Sequence, residues 1–494
     1  MSINEAKEWI SMSCTTILVG KKASYDGSTL MARDDDSGPA AFCPKRFVVV
    51  KPEEQPRQYK SKLSGVEITL PDDPMRYTCM PNVKPERGIW GEAGINACNV
   101  AMSETETLTS NPRVLGADPL DRAGIGEEDL LTIVLPYIHT AREGVLRLGS
   151  LIEQFGTYEM NGIGFQDVDE IWWLESVGGH HWMARRVPDE AYVVNPNQQG
   201  IDSLDLVDAF GAKKENLCSS DMIGFIRENH LDLVGEEPLE EQTAFDTRAA
   251  FGSHTDHDHS YNTPRAWYME RYFNPSTFKW EGPDADYLPE SDDIPWCMIP
   301  EKRITVEDVK YILSSYYQGT EFNPYNQHGE SLNRGRYRPI GINRNTFVAI
   351  TQLRPYAPKE AMAVEWLAVG SNAFNAAVPF YANVETTPEY LANTTETVST
   401  ENFYWTNRLI ASIVDAHYHS CIADIDRYKY GMLAMGHAML KRFDDGLPAG
   451  SSAYLAEAND QIAAEARRMT NEVLGKVLDT ASRAMKNAYT RDDA

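Results

Sequence analysis

The stretch Cys14-Thr15-Thr16-Ile17-Leu18-Val19-Gly20, then Ala23-Ser24-Tyr25-Asp26-Gly27, then Ser28-Thr29-Leu30-Met31-Ala32-Arg33-Asp34-Asp35-Asp36, decides how the chain is read. The first segment is an apolar run of strand length, and the second run returns after a hairpin-like turn. Pairing the two as an antiparallel hairpin sets Cys14 opposite the segment from about Arg33 to Asp36. A guanidinium and a carboxylate then flank a thiol. Only a short polar leader, Met1 to Ser13, precedes Cys14. Scission at Ser13–Cys14 would leave a thiol and a free α-amine on one residue, and so close an amine serves as base for its own side chain. An α-amine titrates near ~8 and a thiol near ~8.5, so modest tuning lets the two exchange a proton at neutral pH. The pattern predicts an amide hydrolase with Cys14 as nucleophile. Arg33 would favour the thiolate or bind a substrate carbonyl or carboxylate, and Asp36 would orient the amine. The competing reading of the same residues is a small buried cysteine at a strand start, beside a solvated acidic turn.

Working outward, the chain of 494 residues is long enough for a large core, and its 42% hydrophobic and 24% charged residues are ordinary for a globular protein. With 46 basic against 73 acidic residues it carries a formal net charge of -27. So acidic a surface disfavours nucleic acid and anionic membranes as partners and suits a small substrate that presents a cationic amine. The 7 cysteines, at 14, 43, 79, 98, 218, 297 and 421, show no Cys-x-x-Cys spacing. A disulfide framework or structural zinc site is not expected, and a reducing, cytoplasmic setting is. The leader lacks the basic start and apolar stretch of a signal peptide, and no segment approaches the ~18 apolar residues of a membrane span.

Arg46–Lys51 and Val66–Leu70 read as short strands, and Gly88 to Asn96 as a glycine-rich turn feeding a strand at Val100–Ser103. From Glu127 to about Phe155 the apolar spacing turns helical, with Pro136 bounding or kinking the first helix. Glu170–Ser176 and His181–Val187 form a hairpin about Gly178-Gly179, followed by a strand ending in Val193-Val194-Asn195-Pro196, and strands recur at 346–354 and 363–369. Beyond about Thr387 the pattern is almost purely helical, with Pro448-Ala449-Gly450-Ser451 between two long helices. This order predicts an α+β protein in which sheets are layered against helices. Residues 1–13 read as a leader, 14–386 as the main domain and 387–494 as a helical extension. The apolar faces of that extension suit a homo-oligomer, or equally a monomer that buries them internally.

The segments Cys14 to Ser24, Asp26-Gly27-Ser28 and Arg33 to Ser37 closely resemble the start of the cysteine dipeptidases of the N-terminal-nucleophile hydrolase superfamily. The resemblance extends, with less specific motifs, through Gly91-Glu92-Ala93-Gly94-Ile95-Asn96, Ala101-Met102-Ser103-Glu104-Thr105, Val193-Val194-Asn195 and Asn262-Thr263-Pro264-Arg265-Ala266-Trp267. These are the dipeptidase A type of lactic acid bacteria, more distantly related to secernins, bile salt hydrolases and penicillin V acylases. The resemblance implies a four-layer αββα sandwich, autoproteolysis before Cys14, and hydrolysis of dipeptides with broad side-chain tolerance through a thioester. By position, Cys14 matches the nucleophile, Arg33 and Asp36 the pair beside it, Asn195 an oxyanion-hole asparagine, and Arg265 a second arginine near the thiol. Two departures stand out. The bile salt hydrolase branch carries a further oxyanion asparagine where this chain has Ser103-Glu104-Thr105-Glu106, and Cys98-Asn99 replaces a glutamate-glycine pairing.

Ser253-His254-Thr255-Asp256-His257-Asp258-His259 is dense in metal-ligand types but lacks His-x-x-x-His spacing, and reads as a loop on the approach to Arg265. No metal or cofactor is expected. His180-His181 reads as a turn. Two other functions remain open on the sequence: an acyl-amide hydrolase of the bile salt hydrolase or penicillin acylase type, and a non-catalytic, secernin-like interaction protein.

Overall fold

A computed structural model describes residues 13–38, 42–106, 108–235, 237–330, 332–448 and 452–487. The leader assigned from the sequence, apart from Ser13, and the turn at 449–451 lie outside the described residues. The chain mixes helix and sheet, as an α+β protein does.

Cys14 begins the segment that becomes the strand Thr15–Val19, buried along its whole length. It pairs antiparallel with Thr29–Asp36, Thr15 lying opposite Asp34 and Thr16 opposite Arg33. The hairpin inferred from the sequence is therefore present, with the inferred register. Gly27 turns it with φ of 85°, a left-handed conformation that a residue without a Cβ adopts freely. The hairpin sits inside a seven-stranded antiparallel sheet. Its order is Cys297–Met298, Tyr192–Asn195, Thr15–Val19, Thr29–Asp36, Asn345–Leu353, Ala363–Val369 and Val378–Tyr381. A second, six-stranded sheet runs Asn216–Cys218, His181–Arg186, Ile171–Val177, Asn161–Gln166, Ala101–Glu106 and Ala93–Ile95.

Strand periodicity decides which side chains meet. On Thr29–Asp36, alternate residues point to opposite faces of the sheet. Met31 faces the six-stranded sheet, where it lies so close to Gly164 that a Cβ there would meet its sulfur at 2.5 Å. Arg33 and Asp35 share that face. Leu30 and Ala32 pack into the core on the opposite face, and Asp34 and Asp36 go with them. Leu18 joins Met31 between the sheets, with Trp173, Met183 and Val193. The same alternation sends the Cys14 thiol between the sheets.

The outer face of the six-stranded sheet presents Phe165, Trp172, Leu174 and Trp182 to Leu130, Leu131, Val145, Leu148 and Ile152. Those residues come from the helices Glu127–Val134 and Ala141–Phe155, with a 3-10 turn at Leu135–Tyr137 carrying Pro136 between them. Proline thus ends the first helix at the point the sequence indicated. The outer face of the seven-stranded sheet is covered by Thr263–Phe273, Val306–Ile312 and the long helices Phe403–Ala416, Tyr418–Asp445 and Ser452–Arg483. Leu455, Ile462, Val473 and Val477 from the last helix share one core with Trp366, Val378 and Phe380. The apolar stripe of the tail is thus buried inside the chain. Among the described residues no helix is long and apolar enough to cross a membrane.

One local expectation fails. The segment around residues 252–264 is not a plain loop: Asp258–Tyr261 forms a short helix, and Thr263–Phe273 follows as a full one. Pro264 falls in the first turn, where its missing N–H costs nothing, and Thr255 donates to the Asp258 carboxylate ahead of it.

Candidate active site

Cys14 is fully buried. Arg33 Nη2 lies 2.7 Å from the Cys14 sulfur. The thiol also faces Asp35 Oδ1 at 3.8 Å. Arg33 itself is held between Asp35 at 3.1 Å, Glu92 at 2.6 Å and Glu127 at 2.6 Å. Lys45 reaches the other oxygen of Glu92 at 2.8 Å and donates to the Trp90 carbonyl. All these side chains are inaccessible to solvent.

The electrostatics of this core do not favour a thiolate. Burial pushes the Cys14 thiol well up; Arg33 pulls it down, but Asp35, Glu127 and Glu92 push it up again. The carboxylates that fix the guanidinium also offset its charge. Burial would likewise raise Glu92, yet Arg33 and Lys45 outweigh it and hold its carboxyl below the usual range. Glu127 is raised by burial, with Glu92, Glu159 and Asp35 adding to the effect against Arg33.

Glu92, Glu104 and Glu127 offer carboxylate oxygens within 4.8 Å of one another, the only such cluster among the described residues with metal-ligand types in reach. Its need for positive charge is met by Arg33 and Lys45, whose cationic groups sit among these carboxylates.

On the opposite face of the strand, Asp36 accepts from Ser13 Oγ at 3.2 Å and is paired with Arg338, while Asn345 donates to its other oxygen. Ser13 Oγ in turn accepts from Tyr261 at 2.6 Å, Arg344 Nη2 at 2.9 Å and Arg338 Nη2 at 3.2 Å. Asp36 thus stands on the side of the nitrogen that scission would free. Arg265, projecting from the helix Thr263–Phe273, donates to the Cys14 carbonyl at 2.7 Å and Thr15 Oγ1 at 2.8 Å. Its other nitrogens bind Asn197, Asn262 and the Tyr261 carbonyl.

Of the five residues singled out from the sequence, the structure brings Cys14 and Arg33 into contact. Asp36 contacts the Ser13 side chain and Arg265 the Cys14 carbonyl. Asn195 lies one strand over, opposite Thr16. Its Nδ2 donates to the carbonyls of Pro196 at 3.0 Å and Gln198 at 3.3 Å, and Gly200 packs against its oxygen. Asp35, Lys45, Glu92, Glu104, Glu127, Tyr261, Arg338 and Arg344 were not singled out for these positions. The signal for Asp35 was available, since strand alternation pairs it with Arg33 on the thiol's face. The others arrive from distant segments that only the sheet pairing brings together.

The histidines fall elsewhere. His254 and His259 both reach Asp292 Oδ1, at 3.3 and 3.0 Å. His180 and His181 both reach Asp118, at 2.9 and 2.7 Å. A cavity of about 400 Å³ lined by Arg46, Val49, Tyr77 and Cys79 contains none of the five. A smaller one, about 30 Å³, lies against the turn after Asn195, between Val194, Gly200 and Ala266.

Residues 13–431 match the model of peptidase family C69. A "Dipeptidase" of Bifidobacterium longum is 55% identical, covering 97% of this chain and 92% of that protein. A "Probable dipeptidase A" of Streptococcus pyogenes is 51% identical over 98% of this chain and its whole length. "Dipeptidase A" of Lactobacillus helveticus is 42% identical over 96% of this chain and 98% of its own. Matched over most of its length by this family model and over nearly all of it by these relatives, the chain belongs to peptidase family C69.

Proposed function

We propose that this protein is a dipeptidase with the αββα sandwich of N-terminal-nucleophile hydrolases, in which Cys14 becomes the N-terminal residue by cutting its own leader. The observation that carries the reading is the Cys14 sulfur 2.7 Å from Arg33 Nη2, with Asp36 accepting from the Ser13 hydroxyl and Arg265 donating to the Cys14 carbonyl. The names of its relatives support the substrate class.

In this reading the thiol adds to the Ser13 carbonyl, the C–N bond to Cys14 breaks, and water hydrolyses the resulting thioester. The leader departs with a carboxylate at Ser13. Cys14 keeps its thiol and gains an amine. That amine supplies the base which the buried, carboxylate-ringed thiol lacks in the uncut chain. In turnover it takes the thiol proton as sulfur attacks the dipeptide carbonyl. It then gives that proton to the departing amine of the second residue. Water finally releases the first residue from sulfur. Arg33 stabilises negative charge on sulfur, Asp36 holds the liberated amine, and Arg265 fixes the Cys14 backbone. Asn195 serves as an oxyanion donor once its amide leaves the Pro196 and Gln198 carbonyls.

Mature protein is to be offered dipeptides, tripeptides and N-acyl amino acids. Dipeptides are expected to be hydrolysed, and Cys14→Ala to abolish that turnover. Preference for N-acyl amino acids would make it an acyl-amide hydrolase instead. Dipeptide turnover that survives in Cys14→Ala would remove the thiol from the mechanism.

A further inference from the structure

Ser13 Oγ sits at a convergence of donors that a serine hydroxyl cannot satisfy. Tyr261 OH, Arg344 Nη2 and Arg338 Nη2 all aim hydrogen at this one oxygen, at 2.6, 2.9 and 3.2 Å. A hydroxyl offers two acceptor lone pairs; a carboxylate offers about four on two oxygens. The donors are also built into the protein. Arg338 is 8% exposed and Arg344 9%. The Arg344 guanidinium is anchored by the Ser37 carbonyl at 2.6 Å and by Tyr261 OH at 2.5 Å. The Tyr261 ring lies beneath both Arg338 and Arg265.

The charge on this side of Cys14 is unbalanced. Arg338 has Asp36 as its ion-pair partner. Among the described residues Arg344 has no carboxylate within ion-pair distance, and its contacts are a carbonyl, a phenol and Ser13 itself. Ser13 belongs to the leader. When the leader leaves, the point where the donors converge is vacated, next to the amine that appears on Cys14.

We propose that Arg338, Arg344 and Tyr261 form the subsite for the C-terminal carboxylate of the substrate, in the place Ser13 holds before scission. The proposal rests on the dipeptidase reading above and adds how the enzyme measures substrate length. The amine leaving group must come to the Cys14 nitrogen to collect its proton. In a dipeptide, the carboxylate is attached to that leaving nitrogen through a single Cα. It therefore reaches only the immediate surroundings of the Cys14 nitrogen, which is where Ser13 Oγ now lies. A carboxylate held there by two guanidiniums and a phenol would favour one residue after the scissile bond over a longer peptide. Asp36, which accepts from Ser13 Oγ at 3.2 Å and is ion-paired with Arg338, borders the same position and would share its charge between Arg338 and the amine. Two N–H groups from separate arginines reading one carboxylate also explain why charge, rather than side-chain shape, would select the substrate.

The test compares a dipeptide with its C-terminal amide, which has the same side chains and scissile bond but no carboxylate. It uses the mature protein, purified after leader removal, with its N-terminus verified by mass. Wild type is expected to favour the free acid in kcat/KM by about ten- to a hundredfold, the range for a charged hydrogen bond lost on the ligand. Arg344→Gln is expected to lower that ratio by a similar factor, mainly through KM for the acid, and Arg344→Lys to restore part of it. Should Arg344→Gln fail to fold or mature, the wild-type ratio and Tyr261→Phe, which removes one donor, decide the matter in the same terms. Equal use of acid and amide by wild type, or a ratio unchanged in the variants, overturns the subsite while leaving the dipeptidase reading intact. Absence of turnover of both compounds by mature wild type overturns that reading, and the subsite falls with it.

Discussion

Glu104 is a buried carboxyl whose two oxygens have no hydrogen-bond partner. Burial raises its pKa well above the usual range, and Glu92 and Glu127 raise it further against Arg33 and Lys45. It therefore holds its proton in the fold at a pH where the unfolded chain has lost it. The folded state then binds the extra proton, so stability falls as pH rises above ~4.3, by about 1.4 kcal/mol per unit until the folded pKa is passed. Glu104→Gln keeps the shape and removes the titration. Urea unfolding at several points between about pH 5 and about pH 8 is expected to show a shallower decline for the variant than for wild type. Equal slopes would mean that Glu104 is ionised in the fold. From the sequence, this position registered as part of a resembling segment and as a missing asparagine in Ser103-Glu104-Thr105-Glu106. What sets it beside Glu92 and Glu127 is the packing of distant segments, and no local pattern encodes that. Arg33 and Asp36, by contrast, were legible because hairpin register is set by a turn and two short strands.

The helix Ala141–Phe155 lies flat on the six-stranded sheet because glycines line its contact face. A Cβ at Gly149 would meet the Trp182 indole at 2.3 Å, and one at Gly144 the Phe165 ring at 2.3 Å. Neither ring can swing away easily, since both are buried and the Trp182 indole N–H is hydrogen-bonded to Glu153. Gly149→Ala raises helix propensity, yet the overlap should win, with a net loss of about 1–3 kcal/mol in urea unfolding. A gain in stability would show that the helix can lift off the sheet without cost. Helices of this length were legible from their apolar period, and Pro136 marked their junction. The strands Val48–Val50 and Glu67–Thr69 are three residues each, and their longer apolar runs overstated them. Helix Thr263–Phe273 was missed because Asn262-Thr263-Pro264 looks like a turn, although proline is equally at home in a first helical turn.

Across the whole molecule, the two sheets and their helices enclose three cores, and the hairpin bearing Cys14 and Arg33 borders two of them. The sequence announced an α+β protein with a helical tail. How that tail closes over the seven-stranded sheet was not legible, since an amphipathic stripe does not name its partner. The proposed mechanism turns on one event at this scale, the conversion of a buried thiol into an N-terminal nucleophile. Intact-mass analysis of freshly purified wild type beside Cys14→Ala tests it most directly. The account predicts that wild type has the mass of residues 14–494 and that the variant retains the residues ahead of position 14. An active wild type that still carries Ser13, or a variant trimmed at the same bond, would contradict it.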